Sequence, residues 1–103
     1  MAEIINLTAE NFAELTSEGI WLVDFWATWC GPCRVQGKII DENLEKLTAT
    51  GAEVAKVNVD EQAGLAMRFN VLSIPTLIVI KNGQKTNEFV GVQSIGTLVE
   101  ALS

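Results

Sequence analysis

The sequence has 103 residues, 49% of them hydrophobic, and a formal net charge of −6 at pH 7. This length predicts a single domain, residues 1–103, and the acidic balance argues against nucleic acid or an anionic membrane surface as a partner. Two cysteines and no histidine cannot supply a four-ligand structural zinc site or a histidine-activated nucleophile, and no glycine-rich phosphate-binding motif is present.

The first half of the chain predicts two strands and two helices. Ile4–Leu7 is a short apolar segment typical of an edge strand, and Thr8 is a good N-cap for a helix over Ala9–Thr16. Ile20–Ala27 is almost continuously apolar, as expected for a strand buried on both faces. Apolar residues then recur at helical intervals, which predicts one helix from the cysteines to Leu47 or Thr48. These apolar residues are Val35, Ile39, Leu44 and Leu47.

The second half predicts three more strands. Alternating valines in Glu53–Val59 indicate a strand, and Asp60 can cap a helix that continues to about Phe69. A strand, a helix and a strand in succession predict a right-handed parallel crossover. Thr76–Ile80 is rich in β-branched residues and is followed by a strong turn signal, Asn82-Gly83, which predicts an antiparallel hairpin.

The return strand of this hairpin is Gln84–Val90, and Ser94 can cap a last helix with a regular apolar face. The parallel crossover and the antiparallel hairpin together require a mixed sheet. The residues alone therefore predict an α/β domain with helices on both faces of that sheet.

The two cysteines, Cys30 and Cys33, stand between the apolar strand and the following helix. Residues three apart on a helix are neighbours, so the two sulfurs can come within disulfide distance. Gly31 allows the backbone to bend, and Pro32 is tolerated in a first helical turn. Because the start of a helix stabilises a thiolate, we expect a redox pair with Cys30, at the outer end, as the nucleophile and Cys33 as the resolving cysteine.

Three other interpretations of two such cysteines stay open on spacing alone. They are an inert buried pair, half of a metal site, and a static disulfide. The strand before the pair and the helix after it favour redox chemistry over these three, because they place the cysteines at a helix N-terminus.

The segment Val23–Cys33 resembles the active-site signature of the thioredoxin family almost residue by residue. Further matches, in the family's order, are Val54–Asp60, Ile74-Pro75-Thr76, Lys81-Asn82-Gly83 and Val90-Gly91. These matches are spread over the whole chain, so the resemblance covers the full domain. It implies a thioredoxin fold, in which a central five-stranded mixed sheet is flanked by four helices.

The resemblance also implies an activity, the reduction of disulfides in protein substrates by dithiol–disulfide exchange. Re-reduction by an NADPH-dependent flavoprotein, thioredoxin reductase, or by a related electron donor, is implied with it. The dipeptide Gly31-Pro32 is typical of the reducing members of the family. The resemblance implies no cofactor beyond the redox-active disulfide of Cys30 and Cys33. The oligomeric state stays open, although nothing in the sequence suggests more than a monomer.

Two charged residues match family positions near the cysteines. Asp24 matches the family's buried aspartate, and a carboxyl group in an apolar strand has a raised pKa that suits proton exchange with Cys33. Taken alone, Asp24 could also lie at an exposed edge or make a structural hydrogen bond. Lys56 matches a lysine near that aspartate, although a solvated strand lysine is an equally good interpretation.

The resemblance further implies an apolar docking surface around Cys30. Pro75 matches a cis-proline beside the disulfide, although most X–Pro bonds are trans, and Ile74 would offer backbone groups to an extended substrate segment. The residues assigned to this docking surface are Trp29, Gly31, Pro32, Ile74, Pro75, Val90 and Gly91. Other large apolar residues are predicted to pack in the core, namely Phe12, Phe25, Trp26, Met67 and Phe69.

One stretch departs from the family pattern. Lys38, preceded by Gly37, stands where family members carry a helix-kinking proline. Glycine permits a bend but does not force one as proline does. We therefore expect a straighter helix, with consequences for the redox potential and the substrate range.

Two other functions compete with a general reductase. One is a thioredoxin-like binding module that docks one dedicated partner through the same face. The other, an oxidase or isomerase of exported proteins, is disfavoured by Gly31-Pro32 and by the absence of an export signal after Met1. No apolar run is long enough to span a membrane. We expect a cytoplasmic protein, and leave open whether a signal peptide has been removed.

Overall fold

The computed structural model describes residues 2–103 and forms one five-stranded sheet within them, with the strand order β1-β3-β2-β4-β5. The strands are β1 (Ile4–Asn6), β2 (Ile20–Trp26), β3 (Ala52–Asn58), β4 (Thr76–Lys81) and β5 (Gln84–Val90). The helices are α1 (Phe12–Thr16), α2 (Gly31–Glu42), α3 (Leu44–Thr48), α4 (Ala63–Arg68) and α5 (Ile95–Leu102). Strands β1 and β2 are parallel to β3, whereas β4 is antiparallel to β2 and β5 is antiparallel to β4. The predicted mixed sheet is confirmed.

The central strand β2 is buried on both faces, as its apolar sequence predicted. Val23 and Phe25 belong to a core cluster on the face covered by α1 and α4. Leu22 belongs to a second cluster on the opposite face, which α2, α3 and α5 cover. Because side chains alternate along a strand, Asp24 lies on the same face as Leu22. The sheet thus places a carboxyl group beneath α2, the helix that begins at the cysteines.

The predicted long helix after the cysteines is two helices, so the described part of the chain has five helices flanking the sheet where four were expected. Helix α2 ends at Glu42, and Asn43 leaves the helical conformation with φ −122° and ψ 21°. The Asn43 side chain donates a hydrogen bond of 2.8 Å to the carbonyl oxygen of Ile39. Asparagine side chains compete in this way for backbone partners, which accounts for the interruption.

Two predicted helix caps are displaced. The amide of Thr8 donates a hydrogen bond of 2.8 Å to the side chain of Asn11, and the amide of Asn11 donates one of 3.3 Å to the side chain of Thr8. Thr8 therefore caps a turn, and α1 begins only at Phe12. The prediction that Asp60 caps the next helix is wrong, because α4 begins at Ala63. The Asn58 side chain instead accepts hydrogen bonds from the amides that follow it.

Two residues that the sequence pattern placed in apolar contacts lie on the surface. Met67, predicted to pack in the core, is 80% exposed, because α4 turns only Leu65 and Ala66 inward. Val35, part of the helical apolar pattern, is 54% exposed, and Gln36 and Ile40 occupy the buried face of α2.

None of the helices within residues 2–103 combines the length and apolar character needed to cross a bilayer.

Candidate active site

The two cysteines form a disulfide at the N-terminus of α2, with their Cα atoms 5.2 Å apart. Cys30 is the N-cap of the helix in an extended conformation, and its sulfur accepts a hydrogen bond of 3.1 Å from the amide of Cys33. Pro32 occupies the first turn, where an amide hydrogen is not needed. The free amides and the positive end of the helix macrodipole are therefore directed at the Cys30 sulfur, and they stabilise its thiolate when the pair is reduced.

The loop before the helix is held by its own hydrogen bonds. The amide of Cys30 donates to the carbonyl oxygen of Ala27 at 3.3 Å, and the guanidinium of Arg34 donates to that of Thr28 at 2.9 Å. The carbonyl oxygen of Trp26, at the end of β2, accepts from the amide of Val59 at 2.9 Å. The turn that carries the cysteines is thus fixed to both the sheet and the helix.

Both sulfurs are largely covered in the disulfide form. Cys30 is 5% exposed and Cys33 is 4% exposed, so Cys30, expected at the outer end of the pair, is almost as buried as Cys33 in this oxidation state. The cover comes from apolar side chains that pack around the pair, among them Ala27 and Ile74. The Cys30 sulfur lies 3.8 Å from the carbonyl oxygen of Ile74.

Trp29, next to Cys30, is exposed to 66%, so it is a surface residue and not a core residue. Its indole Nε1 donates a hydrogen bond of 2.8 Å to a carboxylate oxygen of Asp60. This contact fixes the orientation of an otherwise solvent-exposed ring. It also explains why Asp60 does not cap α4, since its carboxylate is directed at Trp29.

Two later segments of the chain, Ile74-Pro75 and Val90-Gly91, contact each other beside the cysteines. The Ile74–Pro75 peptide bond is cis, as the resemblance implied. The amide of Gly91 donates to the carbonyl oxygen of Pro75 at 2.8 Å, and Val90 beside it is 59% exposed. Gly91 has φ +91°, a conformation that favours glycine over residues with a Cβ atom.

Asp24 is buried, with 5% of its surface exposed, and its Oδ1 atom has no hydrogen-bond partner within the described chain. Burial raises the pKa of Asp24 to about 7, mainly through desolvation of its charged form; Lys56 opposes this rise and Asp41 adds to it. Lys56 stands opposite Asp24 in the register of β2 and β3. The half-buried Lys56 places its ammonium 4.9 Å from the centre of the Trp26 ring, so it is not a freely solvated lysine.

Asp24 and Cys33 line one cavity of about 470 Å³. Lys56 and Asp41 also contribute to its wall, and so does Lys38, which stands at the position of the family's proline. Helix α2 continues without interruption through Gly37 and Lys38. The cavity brings an ionisable carboxyl group and the second cysteine to a common space.

A family model for thioredoxin matches residues 3–103 of the chain. The chain belongs to the thioredoxin family. It is 42% identical to a thioredoxin of Staphylococcus haemolyticus (strain JCSC1435) over 99 residues, which cover 96% of this chain and 94% of the relative. A thioredoxin of Staphylococcus aureus (strain Mu50 / ATCC 700699) is 40% identical with the same coverage.

Solved thioredoxin structures share the fold. A point-mutant thioredoxin of Halobacterium salinarum NRC-1 superposes with a TM-score of 0.87 at 32% identity, covering 97% of this chain and 88% of the other. A thioredoxin of Malassezia sympodialis gives a TM-score of 0.90 at 27% identity, with coverage of 100% and 94%. The predicted thioredoxin fold is confirmed.

Family membership and the Cys30–Cys33 disulfide together establish the predicted activity class. The protein is a thiol–disulfide oxidoreductase of the protein-disulfide reductase type. Neither the site nor the comparisons favour the alternative of a binding module without thiol chemistry.

Sequence reasoning missed one polar residue beside this thioredoxin site. Gln36 is completely buried, and its carboxamide pairs with the backbone of Gln93. A signal was available, because Gln36 lies three residues after Cys33 and four before Ile40 on the same helical face. A glutamine at such a position requires a buried polar partner.

Proposed function

We propose that this protein is a general reductase of disulfides in protein substrates, with Cys30 as the nucleophile and Cys33 as the resolving cysteine. The observation that supports this best is the hydrogen bond of 3.1 Å from the Cys33 amide to the Cys30 sulfur at the start of α2. In the reduced protein, this amide and the helix macrodipole stabilise the Cys30 thiolate, which is the attacking form.

The proposed reaction moves two electrons from the dithiol to the substrate. The Cys30 thiolate attacks one sulfur of a substrate disulfide; the S–S bond breaks, and the other substrate sulfur leaves as a thiolate and takes up a proton. Cys33 then loses its proton and attacks the Cys30 sulfur of the mixed disulfide. The second substrate sulfur leaves and is protonated, so the products are the Cys30–Cys33 disulfide and two substrate thiols.

Asp24 is the base that we propose for Cys33, because the two residues line the same cavity. With a pKa of about 7, the Asp24 carboxyl group can both accept and return a proton near neutral pH. Lys56, opposite Asp24 in the sheet, lowers the pKa of Asp24 against the effect of burial. We assign Lys56 the role of keeping part of this carboxyl group ionised.

The docking surface of this proposal lies around Cys30, where a substrate segment would bind in an extended conformation beside Ile74. The exposed Trp29 and Val90 supply apolar contact area. The residues of the proposed surface are Trp29, Gly31, Pro32, Ile74, Pro75, Val90 and Gly91. We further propose a cytoplasmic monomer that is re-reduced by an NADPH-dependent thioredoxin reductase and uses the disulfide as its only redox group.

The test is the reduction of insulin disulfides by dithiothreitol, with the wild-type protein, with Cys30→Ser, and without protein. We expect strong catalysis by the wild type and the uncatalysed rate with Cys30→Ser, because the serine hydroxyl does not ionise near neutral pH. Circular dichroism of both proteins shows that each is folded. An uncatalysed rate with folded wild-type protein would contradict a general reductase and favour a dedicated partner.

A further inference from the structure

Gln36 is the residue that the reaction above leaves without a role. Its side chain is 0% exposed, although it lies on α2 only three residues after Cys33. A buried carboxamide is costly unless its donor and acceptor atoms are both paired. The position therefore requires a specific partner from another part of the chain.

That partner is the backbone of Gln93, in the loop between β5 and α5. The Gln36 side-chain oxygen accepts a hydrogen bond of 2.6 Å from the Gln93 amide. The Gln36 side-chain nitrogen donates one of 3.2 Å to the Gln93 carbonyl oxygen. The backbone amide and the backbone carbonyl group of Gln93 are thus both held by one side chain of the active-site helix.

The loop held in this way continues the proposed docking surface. Gln93 follows Val90 and Gly91, and its own side chain donates to the carbonyl oxygen of Gly91 at 3.1 Å. The amide of Gly91 in turn donates to the carbonyl oxygen of Pro75 at 2.8 Å. One hydrogen-bonded path therefore joins α2, the Gly91–Gln93 segment and the segment beside the Cys30 sulfur.

We propose that Gln36 is a positioning residue that fixes the Gly91–Gln93 segment against α2 before a protein substrate binds. Ordering a loop during binding costs free energy, so a segment that is already ordered binds more tightly. A protein substrate reaches this segment, whereas a small disulfide need touch only Cys30. Gln36 therefore selects for protein disulfides without changing the thiol chemistry. This inference rests on the docking surface proposed above.

The test compares second-order rate constants of the fully reduced proteins with insulin and with bis(2-hydroxyethyl) disulfide. Gln36→Met keeps the approximate size and flexibility of the side chain and removes both hydrogen bonds to Gln93. We expect about a fivefold lower rate constant with insulin, the size of effect of one or two lost hydrogen bonds. With the small disulfide we expect a change of less than about twofold.

Gln62→Met is the matched control. It makes the same replacement and removes a hydrogen bond of 3.0 Å from the Ala9 amide, a contact in which neither the cysteines nor Gln93 take part. We expect it to leave both rate constants unchanged. Equal losses on both substrates with Gln36→Met, or no loss with insulin, would overturn the proposal.

Val90→Asp tests the docking surface separately, because it places a charge on the exposed apolar residue next to Gly91. We expect a lower rate constant with insulin only. If Val90→Asp acts as expected and Gln36→Met does not, the role of Gln36 alone is overturned. If Val90→Asp has no effect with insulin, the docking surface is overturned, and the role of Gln36 with it.

Amide hydrogen exchange in the wild-type protein tests the contact without any substitution. The Gln93 amide, which is hydrogen-bonded to a fully buried side chain, is expected to exchange slowly. The same amide should exchange much faster in folded Gln36→Met. Fast exchange of the Gln93 amide in the wild type would contradict the proposal, whatever the stability of the variant.

Discussion

Asp24 and Lys56 stand opposite each other in the register of the two central parallel strands, on the wall of the cavity that also contains Cys33. The attraction of Lys56 lowers the pKa of Asp24, but desolvation is the larger effect and raises it to about 7. The carboxyl group is therefore close to half-ionised at neutral pH. The ionisation of Asp24 near neutral pH should therefore affect the free energy of unfolding and the rate at which Cys33 attacks the mixed disulfide.

The stability of the oxidised protein should fall as the pH rises through the range set by Asp24. The folded protein binds the Asp24 proton up to a pH of about 7, whereas the unfolded chain releases it near the ordinary pKa of 3.8. Ionisation of Asp24 therefore lowers the free energy of unfolding progressively as the pH rises above about 4. The complete loss, reached above the pKa of the folded protein, corresponds to about 4 kcal/mol. Urea unfolding at pH 5 and pH 8.5 measures the part of this loss that falls above pH 5, about 3 kcal/mol.

Asp24→Asn removes the titrating group and is the comparison for that experiment. Its unfolding free energy should exceed that of the wild type at pH 8.5 and should vary less between the two pH values. The exposed Glu45 on α3 does not line the Asp24 cavity and offers a control, Glu45→Gln, which should keep the pH dependence of the wild type. Equal pH dependence of wild type and Asp24→Asn would contradict a raised pKa.

Asp24→Asn should also slow the step in which Cys33 attacks the mixed disulfide. General base catalysis typically contributes about 100-fold or more, and an amide cannot accept the Cys33 proton. We expect roughly a 100-fold lower rate of mixed-disulfide resolution at pH 7, measured by stopped flow. Glu45→Gln, outside this cavity, should react at the wild-type rate. A normal rate with Asp24→Asn would show that another base, such as water, serves Cys33.

The contact between Trp29 and Asp60 predicts a smaller effect on substrate binding. Asp60→Ala removes the acceptor of the indole hydrogen bond and leaves the exposed ring free to rotate. We expect about a threefold lower rate constant with insulin and an almost unchanged unfolding free energy. Glu61→Ala, a neighbouring exposed carboxylate, is the control. An Asp60→Ala rate equal to that of Glu61→Ala would mean that the ring orientation is unimportant.

The sequence was sufficient to predict the features that depend on local pattern. The apolar run Ile20–Ala27 predicted the buried strand, and the position of Cys30 and Cys33 between this strand and the next helix predicted a pair at a helix N-terminus. The Asn82-Gly83 turn is present, with positive φ at both residues. Asp24 interrupts the apolar run Ile20–Ala27, but only the family resemblance implied that its carboxyl group is buried.

The features that were missed depend mostly on partners that are distant in sequence. Gln36 is buried because it meets the backbone of Gln93, 57 residues further along the chain. Asp60 was interpreted as a helix cap because aspartate favours that position, yet its carboxylate pairs with Trp29 across a tertiary contact. The break at Asn43 has a local cause, a side-chain hydrogen bond to the Ile39 carbonyl that competes with a strong helical pattern.

The division of roles between the two cysteines is central to the proposed reaction, and trapping of the mixed disulfide tests it most directly. Reduced Cys33→Ser and Cys30→Ser are each mixed with oxidised insulin, and the products are separated and identified by intact-mass spectrometry. Cys33→Ser should accumulate a covalent complex with an insulin chain through Cys30, because no second thiol resolves it. Cys30→Ser should remain unmodified. A complex that accumulates on Cys33 in Cys30→Ser, and none in Cys33→Ser, would contradict the assignment.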